Sequence, residues 1–169
     1  MKAKIVFLLL VTFIFTSCGY KSSAHYATNE ISGKTYVNVN IDINNAKNTV
    51  LIKDAIIELL VGKFDAQITN NKYIANSVVT GSLVSVSESQ LQTNVSGYAK
   101  VYRETVTVKI SYYKKGEKSK SFTLSNYYDF TVDDDSTVTD SKKEEAVKIA
   151  ISKALSNVFS KIAVNSFKK

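Results

Sequence analysis

The chain has 169 residues, with 22 Lys and Arg against 15 Asp and Glu, one His, one Cys, no Pro and no Trp. A chain of this length forms one domain with a proper core. A single cysteine excludes a disulfide framework, and one histidine beside one cysteine excludes the usual His/Cys zinc sites. The modest basic excess permits an anionic partner and equally describes a solvated surface.

The first element is an export signal. Lys2 and Lys4 form a positive n-region, Ile5 to Phe15 is apolar except for Thr12, and the small residues Thr16 and Ser17 precede Cys18. The apolar run is too short to cross a bilayer, which takes roughly 20 residues, so removal is expected rather than retention. The pattern resembles a bacterial lipoprotein signal, with Phe15 in place of the common Leu. The resemblance implies that residues 1–17 are cleaved and that Cys18 becomes the acylated first residue. The alternative is an ordinary signal peptide with a chance cysteine. More than one acyl chain is needed for stable anchoring, and a triacylated cysteine meets that need. Gly19, where an Asp often signals inner-membrane retention, fits transfer to the outer membrane. The mature chain, residues 18–169, loses Lys2 and Lys4 and carries a formal +5. Export argues against nucleic acid as the anionic partner.

Residues 18–33 read as the lipidated N-terminus and a short polar tether, and 34–169 as one domain. In "TYVNVNIDI", Val37, Val39, Ile41 and Ile43 alternate with polar residues, the mark of a half-buried strand. "NTVLIKDAIIELLVGKF" follows as a helix, with Asn48 as its expected N-cap and Ile52, Ala55, Ile56, Leu59 and Leu60 as its buried stripe. "SVVTGSLVSVSES" is a strand whose faces compete, Val78, Val84 and Val86 against Val79 and Leu83, with Gly81 marking a bulge or a close backbone approach. "SQLQTNVSG" reads as a polar loop. In "YAKVYRETVTVKISYY", Tyr98, Tyr102, Val106, Val108, Ile110 and Tyr112 share one face and Arg103, Thr105, Thr107, Lys109 and Ser111 the other. "KKGEK" turns the chain at Gly116. "SFTLSNYYDFTV" returns with Phe122, Leu124, Tyr128, Phe130 and Val132 inward. Ser141 and Glu144 have capping-box spacing. They open a helix from about Lys142 towards Phe167 that buries Val147, Ala150, Ile151, Ala154, Leu155, Val158 and Ile162.

The order β-α-β-β-β-α predicts an α+β fold: a two-layer α/β sandwich with a four-stranded mixed sheet and two helices on one face. The other face, lined with Thr, Ser, Asn and Lys, is expected to meet water.

No enzyme is expected, and no cofactor or metal site. His25 stands alone in the tether, and no nucleophile elbow or glycine-rich phosphate loop occurs. Asp133, Asp134, Asp135 and Asp140 lack the glycine and terminal Glu of a helix–loop–helix calcium loop. Asn94-Val95-Ser96 has the form of a glycosylation triplet and reads as chance in an apparently bacterial chain.

"CGY" at the lipidation point, a short tether, the order of elements, a strand ending "YYDFTVDDD" and a long helix opening "SKKEEAVKIAISKAL" together resemble the lipopolysaccharide-assembly lipoproteins of the LptE family. The resemblance covers essentially the whole chain and rests on element order and length more than on invariant chemistry. It implies an outer-membrane lipoprotein, facing the periplasm and held by lipid through Cys18. Such a protein plugs and helps assemble an LptD-type β-barrel and takes part in lipopolysaccharide insertion. The family pattern expects basic residues before the third strand and before the last helix, where this chain has Thr93, Asn94 and Val95 and the run Asp133 to Asp135. The densest basic cluster is instead Lys114, Lys115, Lys118 and Lys120, beside Tyr112 and Tyr113. It is either a contact for lipopolysaccharide phosphates or a soluble charged turn. The competing class is an envelope lipoprotein that activates or scaffolds another machine, such as a peptidoglycan synthase.

Overall fold

The structure, a computed structural model, describes residues 23–31, 33–41, 46–93, 99–132 and 138–166. In chain order its elements are α1 (Ser23–Glu30), β1 (Lys34–Asn40), α2 (Ala46–Phe64), β2 (Gln67–Thr69), a 3₁₀ turn (Lys72–Ile74), β3 (Ser77–Thr93), β4 (Ala99–Lys114), β5 (Lys120–Thr131), α3 (Asp140–Leu155) and α4 (Val158–Ser166). The sheet order is β2-β1-β3-β4-β5. β1 runs parallel to β2 and β3, while β3, β4 and β5 are antiparallel neighbours. The fold is α+β, a mixed open sheet packed against helices, as expected from the pattern. The three-residue β2 raises the expected four strands to five; "QIT" is too short to show a period.

Alternation builds the sheet's inner side. Val37, Val79, Val106, Val108, Ile110, Tyr112 and Leu124 are buried in one cluster with Ile52, Ile56 and Leu60 of α2 and Ala150, Ile151, Ala154 and Leu155 of α3. Each large aliphatic side chain so buried contributes about 1.5–3 kcal/mol relative to exposure. In α2 the buried line is Thr49, Ile52, Ile56, Leu60 and Phe64, four apart after the first step. Ala55 and Leu59, expected in the stripe, pack at its margin. Asn48 is not the cap but the third residue of α2.

Gly81 settles as a close approach. A Cβ there would lie 2.5 Å from Ile56 Cδ1 and 3.1 Å from Ile52 Cγ2, so α2 seats directly on the strand backbone. The competing faces of β3 have a separate cause. The register slips between Leu83 and Ser85, so Val84 is the extra residue of a bulge and points to solvent. Val79 and Leu83 pack inward before it and Val86 after it.

Four further expectations are corrected. The tether contains α1, whose Ala27, with the following Ile31, is buried in the core cluster beside Val158, Ile162 and Ala163 of α4. Ser89 to Thr93 is strand, paired with β4, rather than loop. The last helix begins two residues earlier than the proposed capping box: Thr139 is the N-cap, its hydroxyl accepting from Lys142 N at 3.3 Å. That helix also breaks. The Ser156 hydroxyl donates to Lys153 O at 2.7 Å, the local bonding by which serine competes with helix backbone, and α4 starts afresh at Val158. Its Phe159 ring meets Phe64 edge-on, 4.9 Å between centroids.

Candidate functional site

The basic cluster gathers where β4 turns into β5, with Gly116 at φ +88° making the turn. The four lysines are not equivalent. Lys120 pairs with Glu30, a carboxylate almost wholly buried at the end of α1, and lies 5.9 Å from the centroid of the Tyr112 ring. Lys114 Nζ donates to Asn29 O at 3.4 Å. These two bolt α1 to the sheet. Lys115 Nζ reaches Tyr73 O at 3.5 Å, and its backbone N–H donates to Asn76 O at 2.8 Å. Lys118 is exposed. The expected set of four therefore divides into two structural lysines and two that stand at the surface.

Beside Lys115 is an open cleft of about 520 Å³ lined by Lys72, Tyr73, Ala75, Asn76, Val78, Tyr113 and Lys115. Its described lining gives it apolar and aromatic walls and two ammonium groups. The 3₁₀ turn that forms its rim is fixed locally: Asn71 Oδ1 accepts from Tyr73 N at 2.9 Å, and Asn71 N donates to Thr69 Oγ1 at 3.2 Å. Tyr73 and Ile74 stand in a run without periodicity, which gives no sequence signal for them.

The outer side of the sheet is polar. Thr107 Oγ1 bonds Ser125 Oγ across β4–β5 at 3.1 Å, and Asn40 Nδ2 donates to Ser82 Oγ across β1–β3 at 2.7 Å. Arg103 grips Asp129 with two bonds, Nε to Oδ1 at 2.7 Å and a terminal nitrogen to Oδ2 at 2.8 Å. Its guanidinium also covers the Tyr127 ring at 3.7 Å. The fork holds the Asp129 carboxyl below its ordinary pKa and raises that of Arg103. Planar cation, carboxylate and ring make this a rigid spot on an otherwise hydroxyl-rich face.

On the inner side, at the opposite end of β4 from the basic turn, Glu104 is buried at 4 % exposure. Among the described residues its Oε2 has no hydrogen-bond partner. Desolvation first, then the charge and hydrogen bonding of Glu88, push its pKa up to about 7, while Lys143 works the other way. Lys143 Nζ of α3 lies 3.0 Å from Glu88 Oε2. Reading β4 for its apolar side skipped Glu104 between Tyr102 and Val106.

Among the described residues no group of His, Cys, Asp and Glu is placed to hold a metal ion, and no helix is long and apolar enough to cross a membrane. Cys18, Asn94 to Ser96 and Asp133 to Asp135 lie outside the described residues, and His25 belongs to α1.

The chain is thus a small α/β sandwich with a hydroxyl-rich open sheet face and a basic turn at one end. Its fold is similar to that of rare lipoprotein B from Shewanella oneidensis, 16% identical, with a TM-score of 0.53 and 79% of this chain and 97% of that one covered. It is equally similar to a putative lipoprotein from Caulobacter crescentus, 8% identical over 87% and 97% of the two chains, TM-score 0.53. Lipoprotein B from Nitrosomonas europaea matches at 12% identity over 88% and 93%, TM-score 0.53. No curated protein matches in sequence. The model of the family LptE: Lipopolysaccharide-assembly matches residues 36–162, and the chain belongs to that family of non-enzymatic assembly lipoproteins.

Proposed function

We propose that the mature chain is anchored through acyl groups on Cys18 to the periplasmic side of the outer membrane. There it plugs and helps assemble an LptD-type β-barrel and takes part in lipopolysaccharide insertion. Family membership over residues 36–162 carries this reading. The sheet supports it: a plug in a wet lumen needs an outer surface that hydrogen-bonds to water and to barrel side chains, and the Asn40–Ser82 and Thr107–Ser125 pairs belong to such a surface. Of the four hairpin lysines, Lys114 and Lys120 serve α1, so contact with lipopolysaccharide phosphates falls to Lys115 and Lys118.

Affinity capture of the tagged chain from detergent-solubilised membranes tests the partner. Co-purification of a large outer-membrane β-barrel is expected; recovery of a peptidoglycan synthase in its place would overturn the reading. Mass spectrometry of the exported protein tests the anchor: the N-terminal residue is to be Cys18 carrying acyl chains, and a bare thiol there or a retained leader refutes it. Replacing Lys115 and Lys118 with Gln is expected to weaken lipopolysaccharide binding and flatten its salt dependence, with α1 still docked.

A further inference from the structure

We propose that in the anchored chain, before a partner covers it, the end of the domain bearing the turn Lys72–Ile74 rests on the phospholipid surface. Tyr73 and Ile74 enter the headgroup layer, and Lys72, Lys115 and Lys118 face headgroup phosphates. The inference rests on an anchor at Cys18.

The first support is the turn itself. Tyr73 is 88% exposed and its neighbour Ile74 51%, an aromatic and a branched aliphatic side chain presented together to solvent. Their backbone is not loose. Besides the Asn71 cap, Asn76 N donates to Lys34 O at 2.7 Å and Lys115 N to Asn76 O at 2.8 Å, which pins the following residues to the ends of β1 and β4. Two apolar side chains held out on a fixed turn lose little freedom on entering an interface, and tyrosine is enriched at the depth of lipid headgroups. Charge is the second support. Lys72 and Lys115 line the cleft behind Tyr73, and basic residues near a membrane surface favour anionic lipid.

The third support is the length of the leash. α1 is bolted to this same end of the sheet by Lys114–Asn29 and Lys120–Glu30. Cys18 precedes α1 by five residues, at most about 17 Å of chain. The eight residues of α1 add about 12 Å. An acylated residue 18 thus stays within about 30 Å of the bolt. The 16-residue β4 carries the opposite end of the sheet about 50 Å away. The leash is too short for that far end to be the one at the membrane while the bolted end stands off from it.

The absence of tryptophan from the chain makes the test direct. The mature chain is coupled through Cys18, its only thiol, to a maleimide lipid in vesicles of phosphatidylethanolamine and phosphatidylglycerol. Two variants each carry one reporter: Tyr73→Trp on the turn, and Leu91→Trp, 47% exposed near the far end of β3. The Tyr73→Trp chain is expected to shift its emission to the blue and to lose intensity to brominated acyl chains, and the Leu91→Trp chain to do neither. Adding Lys72→Gln, Lys115→Gln and Lys118→Gln to the Tyr73→Trp chain is to reduce the quenching, as is added salt. An unshifted Tyr73→Trp emission, equal quenching of both reporters, or indifference to the loss of the lysines would each overturn the proposal. The vesicles contain no lipopolysaccharide, so the signal belongs to phospholipid. The maleimide supplies the anchor, so a negative result refutes the membrane-facing turn without bearing on acylation, which mass spectrometry of residue 18 decides separately.

Discussion

Glu104 stands directly opposite Glu88 across the β3–β4 ladder, on the side of the sheet that the helices cover. Two carboxylates so placed repel unless one holds a proton, and burial selects Glu104 to hold it. Its pKa of about 7 lies above that of an unfolded glutamate, so the native state binds the extra proton between about pH 4.5 and pH 7. This contribution to stability is therefore complete below that window and is lost as pH rises through it. Glu104→Gln keeps a neutral donor facing Glu88 and is expected to abolish the decline. Urea midpoints at about pH 5 and about pH 8 check this: the parent chain is to lose about 2 kcal/mol between them and the variant much less.

The seat of α2 on Gly81 makes a second position testable. Gly81→Ala places a methyl group against Ile56 and Ile52, and both are fully buried, with little room to turn aside. A loss of about 1–3 kcal/mol is expected from overpacking, with a larger loss for Gly81→Val. Gly62, by contrast, has nothing within 4 Å of its added Cβ and lies inside α2. Gly62→Ala is expected to stabilise by about 0.5–1 kcal/mol through helix propensity. Thermal or urea unfolding of the three variants gives the comparison.

Lys120→Ala tests the bolt on α1. It removes the Lys120 ammonium from beside the almost wholly buried Glu30 carboxylate, and breaking a buried pair costs about 3 kcal/mol or more if the group stays in place. The cheaper response is for α1 to lift off. Hydrogen exchange over residues 23–31 is expected to speed up markedly while β3 and β4 keep their protection. Unchanged protection of α1 would show that Ala27, Ile31 and the Lys114–Asn29 bond hold it without Lys120.

Thr139→Ala removes the side chain that accepts from Lys142 N, and a loss of about 1 kcal/mol is expected. Ser141→Ala, at the position first favoured by spacing, is expected to cost less, since Ser141 already lies within α3. The pair of unfolding curves distinguishes the two caps.

The parts of the fold that were legible before the structure are those where one side of an element is buried throughout. The alternation in β4 and β5 and the four-residue spacing in α2 and α3 translate directly into the core. What escaped detection follows from specific physical causes. At Val84 an extra residue changes the phase of β3, so a single alternation cannot fit both halves. Ser89 to Thr93 is exposed on both sides, and its strand state is set by pairing with β4, which leaves no apolar signal. Among the described side chains, the buried apolar marks of α1 are Ala27 and the adjacent Ile31, too few for a period. At the surface, the lysine cluster was visible as a run of charge, but its division between α1 and solvent depends on residues about 85–90 positions away.

β3 continues well beyond its parallel neighbour. Its pairing with β1 ends at Ser82, whereas its pairing with β4 continues to Thr93. Along that outer stretch, every second backbone amide of β3 points toward β4 and the intervening ones toward the side that β1 has vacated. The amide protons should therefore keep two clocks on one strand, slow and fast in turn. An incoming extended segment that seats along this margin would silence the fast set alone.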